Sequence, residues 1–347
     1  GGTRYPAPSA PPAGDSGCLL AGGADLRNTG SPRTAAWRAA DGTRTNMTPT
    51  TTALALLLTA LAGDPDWPHW RGPHFNGSTE AQGLPVRWSQ TDNVAWRTDL
   101  PGQSAATPIV VAGRVFLTAL VPEGEVLLAL CLDRASGEVL WEREAGQGRT
   151  PSPRSRGREN TLAACSAVSD GELVCFLFGS GDLLACDLEG ELLWKRNLAQ
   201  EYGELVVLWG YASSPLLYEG TLYVQVLHRA ESYLLGIDPR TGENRWRHVR
   251  PNQAKAESQE AYTTPIPFDN KGRREILVLG ADCLTSHDPA TGEEYWRWCG
   301  LNPRDRGNMR AVSNTVVGQD GFVFVTSPQH NPMHGLRVDG DTVVEVW

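Results

Sequence analysis

A tryptophan recurs at an almost constant interval through most of the chain. Trp141, Trp194, Trp246, Trp296 and Trp347 are separated by 53, 52, 50 and 51 residues. Each ends a related segment, which is most complete as Asp-Pro-Xaa-Thr-Gly-Xaa-Xaa-Xaa-Trp at 238–246 and 288–296. Repeats of about 20–50 residues are typical of solenoids, propellers and arrays. The fold must therefore be built from repeated units of similar size.

Each of these segments predicts a β-hairpin. The Asp accepts backbone hydrogen bonds where the turn begins, Pro fixes φ just after it, and Gly supplies the positive φ that closes the turn. A second pair of short β runs around a Gly turn recurs upstream, at 106–117, 213–224 and 313–324. Two hairpins give four antiparallel strands in about 50 residues, which is one propeller blade. The sequence therefore predicts an all-β fold, a β-propeller of four-stranded blades.

Charge and hydropathy exclude two classes of protein. The chain has 40 acidic and 31 basic residues, a net charge of −9, which disfavours binding to nucleic-acid phosphates. No apolar stretch reaches the roughly 18 residues that a membrane-spanning helix needs. We expect no nucleic-acid partner and no membrane span.

The first 62 residues differ from the rest. Residues 1–46 contain eight Gly, five Pro and nine Ala without periodicity, so we expect this low-complexity segment to lie outside the folded mature protein. Met47, an apolar run and a small-residue end at 60–62 predict a signal peptide at 47–62; the alternative is a buried helix of a cytosolic protein. No Cys follows directly, so a lipid anchor is not expected. The sequence thus predicts a periplasmic or secreted propeller at 63–347.

The hairpin pattern resembles the pyrroloquinoline-quinone (PQQ) type of propeller repeat. One copy has Ser136 in place of Thr, and the copy at 187–194 is one residue shorter. The segment Trp67-Pro-His-Trp-Arg-Gly-Pro73, with 83–88 and 93–96, resembles exported propeller proteins of planctomycete-like bacteria. About five repeats are visible where such propellers close with about seven or eight blades. The resemblance therefore implies a propeller that is incomplete at its C-terminus.

The resemblance also assigns a structural role to the repeated tryptophans, which dock each blade against the next. The residues concerned are Trp96, Trp141, Trp194, Trp246, Trp296 and Trp347.

Two functions follow from this resemblance. Quinoprotein dehydrogenases of this fold hold PQQ against a disulfide between adjacent Cys residues and bind calcium through carboxylates and an Asn. No two Cys are adjacent here, and no Asp- and Asn-rich calcium loop is recognisable. We expect no catalytic residue, metal or cofactor, and predict a scaffold for a protein or small-molecule ligand in the cell envelope, by analogy with the barrel-assembly lipoprotein propeller. The alternative is a PQQ- and calcium-dependent alcohol dehydrogenase.

The connections between blades are the predicted ligand site. In a propeller they recur on one face near the central channel, and loops held by a rigid scaffold commonly carry function. The alternative is that their side chains only hydrogen-bond the loop backbone and fill the channel entrance. If these connections form a ligand site, substituting Glu260 and Arg310 by Ala should weaken ligand binding without reducing the stability of the fold. The aromatic and polar residues of these connections are Asn160, Trp209, Tyr211, Glu260, Tyr262, Asn308 and Arg310.

Two cysteine pairs flank predicted hairpin turns. Cys175 and Cys186 lie on either side of the turn 179–182, and Cys283 and Cys299 on either side of the turn 288–292. In an exported protein such cross-strand pairs are candidate disulfides. The alternative is that each is a small buried apolar residue.

Overall fold

The computed structural model describes residues 17–20, 66–123, 125–148, 161–302, 310–312, 316–326 and 332–347. A short strand, β1 (Gly17–Leu20), lies in the low-complexity segment. The predicted signal peptide at 47–62 lies outside the described residues. Within the described ranges, no helix has the length and apolar character needed to cross a membrane.

In the described residues, five four-stranded antiparallel sheets follow one another, and in each the strands are ordered as in the sequence. We call them blades 1 to 5. Blade 1 follows β2 (Trp96–Asp99) and contains β3 (Ile109–Val111), β4 (Arg114–Val121), β5 (Val126–Asp133) and β6 (Val139–Gln147). Blade 2 contains β7 (Val168–Ser169), β8 (Leu173–Leu177), β9 (Asp182–Asp187) and β10 (Leu192–Asn197), which is followed by the helix α1 (Leu198–Tyr202).

Blades 3 to 5 repeat this arrangement. Blade 3 contains β11 (Leu216–Tyr218), β12 (Thr221–Val226), β13 (Tyr233–Ile237) and β14 (Asn244–Val249), and a 3-10 helix (Ala256–Gln259) precedes the next blade. Blade 4 contains β15 (Ile266–Asn270), β16 (Arg273–Gly280), β17 (Cys283–His287) and β18 (Glu294–Cys299). Blade 5 contains β19 (Val317–Gln319), β20 (Phe322–Thr326), β21 (Met333–Asp339) and β22 (Thr342–Glu345). The predicted all-β propeller of four-stranded blades is confirmed.

This meander gives every blade two different ends. The first and second strands, and the third and fourth, are joined at one end, which we call the turn end. The second and third strands are joined at the other end, where the chain also passes to the next blade; we call this the connection end. Because the strands are antiparallel, each end collects loops from all blades.

The hydrophobic core lies between consecutive blades. All five residues of β8 are buried, and so are all six of β12, because the middle strands are covered on both faces. One cluster joins blades 1 and 2 through Phe116, Trp141 and Phe176, and further clusters join each later pair. A single blade could not bury its two apolar faces, so neighbouring blades stabilise each other.

Four of the repeated tryptophans dock on the following blade. Each indole N–H donates to a carbonyl in the turn between the third and fourth strands of that blade, at 2.8–3.1 Å. The turn Gly lies against the indole ring; a Cβ on Gly242 would come within 2.6 Å of the Trp194 ring. The donor and acceptor pairs are Trp96 with Arg134, Trp141 with Leu188, Trp194 with Pro239, and Trp246 with Pro289.

The last two tryptophans make different contacts. Trp296 is buried in the cluster between blades 4 and 5, but its indole N–H donates to Glu275 Oε2 of its own blade at 2.9 Å. The next blade has a shorter turn there, between Asp339 and Thr342, without the Pro and Thr of the repeat. Trp347 is 58% exposed and packs on Gly335 of its own blade. The hydrogen bond to the following blade is therefore not made by these two.

The segment 66–75, which forms a bridge to blade 1 at Trp67 and turns from residue 69 onward, contacts several blades. Trp67 exchanges backbone hydrogen bonds with Val110 of blade 1 at 2.6 and 2.9 Å. The carbonyl of Pro68 accepts from Ser169 of blade 2, and Arg71 donates to the carbonyl of Val316 just before blade 5. The segment thus links blades 1 and 2 to the residue that precedes blade 5.

The two cysteine pairs have different outcomes. Cys283 and Cys299 are directly opposite in the β17–β18 ladder and form a disulfide, with Cα atoms 4.1 Å apart. Cys175 and Cys186 are both buried and unbonded. The ladder pairs Cys175 with Ala185, and this offset of one residue turns the two thiols to opposite faces of the sheet. The expected bridge between Cys175 and Cys186 is therefore wrong.

Candidate functional site

Four of the predicted mouth residues come together at the connection end, between blades 3, 4 and 5. They are Trp209, Glu260, Tyr262 and Arg310, and they form one hydrogen-bonded group with Glu257 and Arg229. Asn160 and Asn308 lie outside the described residues. We call the described group the connection-end mouth.

Glu260 is the buried centre of this mouth. Its side chain is fully buried. Oε2 accepts from the backbone N–H of Leu208 at 2.8 Å and from the hydroxyl of Tyr262 at 3.1 Å, and Oε1 accepts from Arg229. Burial, followed by the charge of Glu260, raises the pKa of the Tyr262 hydroxyl. Glu260 therefore fastens the loop before blade 3 to blade 4, and it is not a free binding group.

The outer part of the mouth is built around Glu257, in the 3-10 helix. Its Oε2 accepts from Arg310 Nη1 at 2.7 Å, and its Oε1 accepts from the indole N–H of Trp209 at 3.3 Å. The Arg310 side chain is 40% exposed, whereas that of Glu257 is 16% exposed. The Trp209 ring and the Arg310 guanidinium thus flank one carboxylate at the rim.

An apolar loop borders this rim. Five consecutive apolar residues, 205–209, connect α1 to blade 3. Leu205 and Val207 pack on the core, while Val206 is 43% exposed and its backbone N–H donates to His228 Nδ1. The mouth therefore presents apolar surface next to paired charges.

Tyr211 does not line the mouth. It is 3% exposed, and its hydroxyl donates to the carbonyl of Gln225 at 2.6 Å. Burial raises the pKa of this hydroxyl well above its usual value. Its place among the mouth residues is therefore wrong, because the side chain turns inward to the core between blades 2 and 3.

Sequence reasoning missed Val206, Arg229 and Glu257. Arg229 lies in the loop between the second and third strands of blade 3, and such loops share the connection end with the segments between blades. Val206 and its neighbours form an apolar run inside a connection, where exposed backbone usually favours polar residues. That apolar run is the sequence signal from which Val206 could have been identified.

The donor set of the mouth does not fit a calcium-bound quinone. Calcium requires about six to eight oxygen ligands, several of them from carboxylates. Here the carboxylates of Glu257 and Glu260 are engaged by Arg310 and Arg229. Among the residues that the structure describes, no three His, Cys, Asp or Glu side chains are grouped to hold a metal ion. Because the charges of the mouth are already paired, a ligand would contact mainly its apolar surface and its remaining hydrogen-bonding groups.

Comparison with known proteins supports the repeat type. Residues 77–207 match the family model of the outer membrane protein assembly factor BamB. A quinohemoprotein alcohol dehydrogenase from Comamonas testosteroni has a similar structure, with a TM-score of 0.53 and 15% identity over 82% of this chain and 47% of that one. BamB from Moraxella catarrhalis gives a TM-score of 0.47 and 14% identity over 74% of this chain and 64% of that one.

The chain spans less than two thirds of the length of either solved protein. A comparison with curated protein sequences finds no significant match. The family match, the recurring Asp-Pro-Xaa-Thr-Gly hairpins and the five four-stranded sheets agree with one another. The described part of the chain therefore has a β-propeller fold, and its repeats are similar to those of the PQQ-like type.

Proposed function

We propose that this chain is an exported, noncatalytic propeller that binds a polypeptide segment of a partner protein at the connection-end mouth. The observation that carries the proposal is the apolar loop with exposed Val206 and partly buried Trp209, which lies beside an Arg310 side chain that is 40% exposed. Trp and Arg are the residue types that dominate binding energy at protein interfaces. The match to a family model of an outer membrane assembly factor supports a partner in the cell envelope.

The second candidate is PQQ-dependent oxidation of an alcohol. The structural likeness to a quinohemoprotein alcohol dehydrogenase supports it at the level of the fold, and function belongs to sites rather than folds. The sequence has no adjacent Cys pair, and the mouth carboxylates already hold guanidinium groups. We therefore prefer the binding function.

Peptide selection tests the binding function. A random peptide library displayed on phage is panned against the whole protein, and enriched peptides are then measured against variants. We expect Trp209→Ala and Val206→Ser to weaken these peptides about tenfold or more, as hot-spot residues do. Trp88→Ala is the matched control, since Trp88 is 70% exposed but lies outside the mouth. Equal binding to all variants would contradict the proposal.

A separate measurement tests the oxidoreductase. PQQ and Ca²⁺ are added to the purified protein, and primary-alcohol oxidation is followed with an artificial electron-accepting dye. We expect no bound chromophore after gel filtration and no turnover above the quinone alone. A retained chromophore with turnover would favour the second candidate.

A further inference from the structure

A second concave site lies at the turn end, opposite the connection-end mouth. It is a cavity of about 360 Å³ between the segment 66–75 and the first turns of blades 1, 2 and 3. Its volume is within the range of small-ligand sites, about 300–1,000 Å³. We call it the turn-end cavity, and nothing in the proposed function uses it.

The lining of this cavity combines negative charge with apolar surface. Asp66, Asp170 and Glu219 contribute carboxylates, while Phe75 and Tyr218 contribute aromatic rings that lie 6.1 Å apart, edge to face. None of the described lining residues is Lys or Arg. Glu219 has a distant ion pair with Arg274, at 3.6 Å, and both side chains are about half exposed. The cavity is thus an acidic pocket with an aromatic wall.

His69 gives an independent sign of a ligand. It lines the cavity, is only 8% exposed, and its Nδ1 has no hydrogen-bond partner. Buried polar atoms are almost always hydrogen-bonded, because leaving one unpaired costs free energy. Its ring lies 4.6 Å from Phe75, so the imidazole and the aromatic wall are adjacent. Burial lowers the pKa of His69 to about 4, which leaves the ring neutral and able to accept an N–H.

We propose that the turn-end cavity binds a primary ammonium group attached to an apolar body. The ammonium would lie among the carboxylates and neutralise them, a turn of the His69 ring would let Nδ1 accept one of its N–H groups, and the apolar body would lie against Phe75 and Tyr218. An ammonium has three N–H donors. It therefore suits a site that offers several hydrogen-bond acceptors and has no Lys or Arg among its described lining residues. A free arylalkylamine and a Lys side chain of a peptide share this chemistry.

Calorimetric titration of the whole protein tests the proposal. The probes are 2-phenylethylammonium, the neutral 2-phenylethanol and the anionic 3-phenylpropanoate, which share an aromatic body and differ in charge. A capped Gly-Lys-Gly peptide distinguishes a Lys side chain from a free amine. We expect the ammonium to bind at least tenfold more tightly than the alcohol and the anion not to bind.

Variants assign the binding to this cavity. Asp170→Asn keeps the side-chain oxygen that accepts from the N–H groups of Glu172 and Leu173, so the turn should still form. We expect Asp170→Asn and Glu219→Gln to weaken the ammonium about fivefold each, and His69→Phe by a similar factor. Asp92→Asn, an exposed carboxylate elsewhere, should change nothing. Unchanged affinity in the Asp170→Asn/Glu219→Gln double variant, equal binding of amine and alcohol, or no saturable binding of either amine would overturn the proposal.

Discussion

At the scale of single residues, Glu260 shows how a predicted binding residue becomes a structural one. Its carboxylate is fully buried and holds the Leu208 N–H, the Tyr262 hydroxyl and Arg229. Glu260→Ala leaves these donors unpaired, so we expect the free energy of unfolding to fall by about 1–3 kcal/mol. Urea unfolding measures the change. Exposed Glu204 is the control, and its alanine variant should stay within about 0.5 kcal/mol of the parent; equal effects would show that Glu260 is dispensable for folding.

The buried histidines make stability depend on pH. Burial lowers the pKa of His287 to about 3 and that of His69 to about 4, whereas an unfolded His titrates at 6.5. Between pH 6.5 and about 4 the unfolded chain therefore binds protons that the folded chain does not, and stability falls as the pH falls.

His287→Gln should reduce this pH dependence. Well below pH 6.5 the free energy of unfolding should lose about 1.4 kcal/mol less per pH unit in the variant than in the parent, because one differential proton is removed. Urea unfolding between pH 6 and 4.5 gives the slope. The control is His74→Gln, an exposed site. If the free energy of unfolding of His287→Gln depends on pH as steeply as that of the parent, His287 is not the source of the pH dependence.

At the scale of elements, the contact between a turn Gly and the preceding tryptophan should join the blades. Gly242 and Gly220 both have positive φ, +76° and +70°, so alanine causes similar backbone strain at each. A Cβ on Gly242 would also meet the Trp194 ring at 2.6 Å, whereas one on Gly220 meets nothing within 4 Å. We expect Gly242→Ala to be the more destabilising by about 1–3 kcal/mol. Equal urea midpoints would mean that the turn and ring adjust without cost.

The same elements show what the sequence predicts and where it stops. The Asp-Pro-Xaa-Thr-Gly hairpins can be predicted from the sequence, because each of these residues determines the conformation of its own turn. The four-stranded blades can then be predicted from the hairpins. The offset of Cys175 against Cys186 depends on the loop closed between Phe178 and Asp182, and counting residues from the turn centre misses it. Trp296 departs from its repeat because its indole N–H donates to buried Glu275 of its own blade. The position of the segment 66–75 depends on long-range contacts, such as that of Arg71 with Val316, 245 residues apart. The sequence gives no local signal for such contacts.

At the scale of the whole molecule, the two ends of the propeller differ in chemistry. The connection-end mouth has its carboxylates paired with arginines, and it presents exposed Val206 beside partly buried Trp209. The turn-end cavity has carboxylates and a His69 Nδ1 without a hydrogen-bond partner, and no Lys or Arg is among its described lining residues. Because different loops of the same blades form the two ends, substitutions at one should leave binding at the other unchanged. The two proposed sites are thus formed by different loops of the same blades.

The proposed export of the protein predicts the oxidation state of its cysteines. Disulfides persist in oxidising compartments and are rare in the cytosol, so the Cys283–Cys299 bridge should be complete in protein recovered from the cell envelope. In that protein, alkylation under denaturing conditions without reductant should label the free thiols Cys131, Cys165, Cys175 and Cys186, and should label Cys283 and Cys299 only after reduction. Peptide mass mapping reads out both sets in one sample, so the free thiols control for complete unfolding. Closing this loop, with its sequence separation of 16, should stabilise the fold by about 3 kcal/mol. Labelling of Cys283 before reduction, together with an unfolding midpoint that reductant does not shift, would remove the disulfide as support for export.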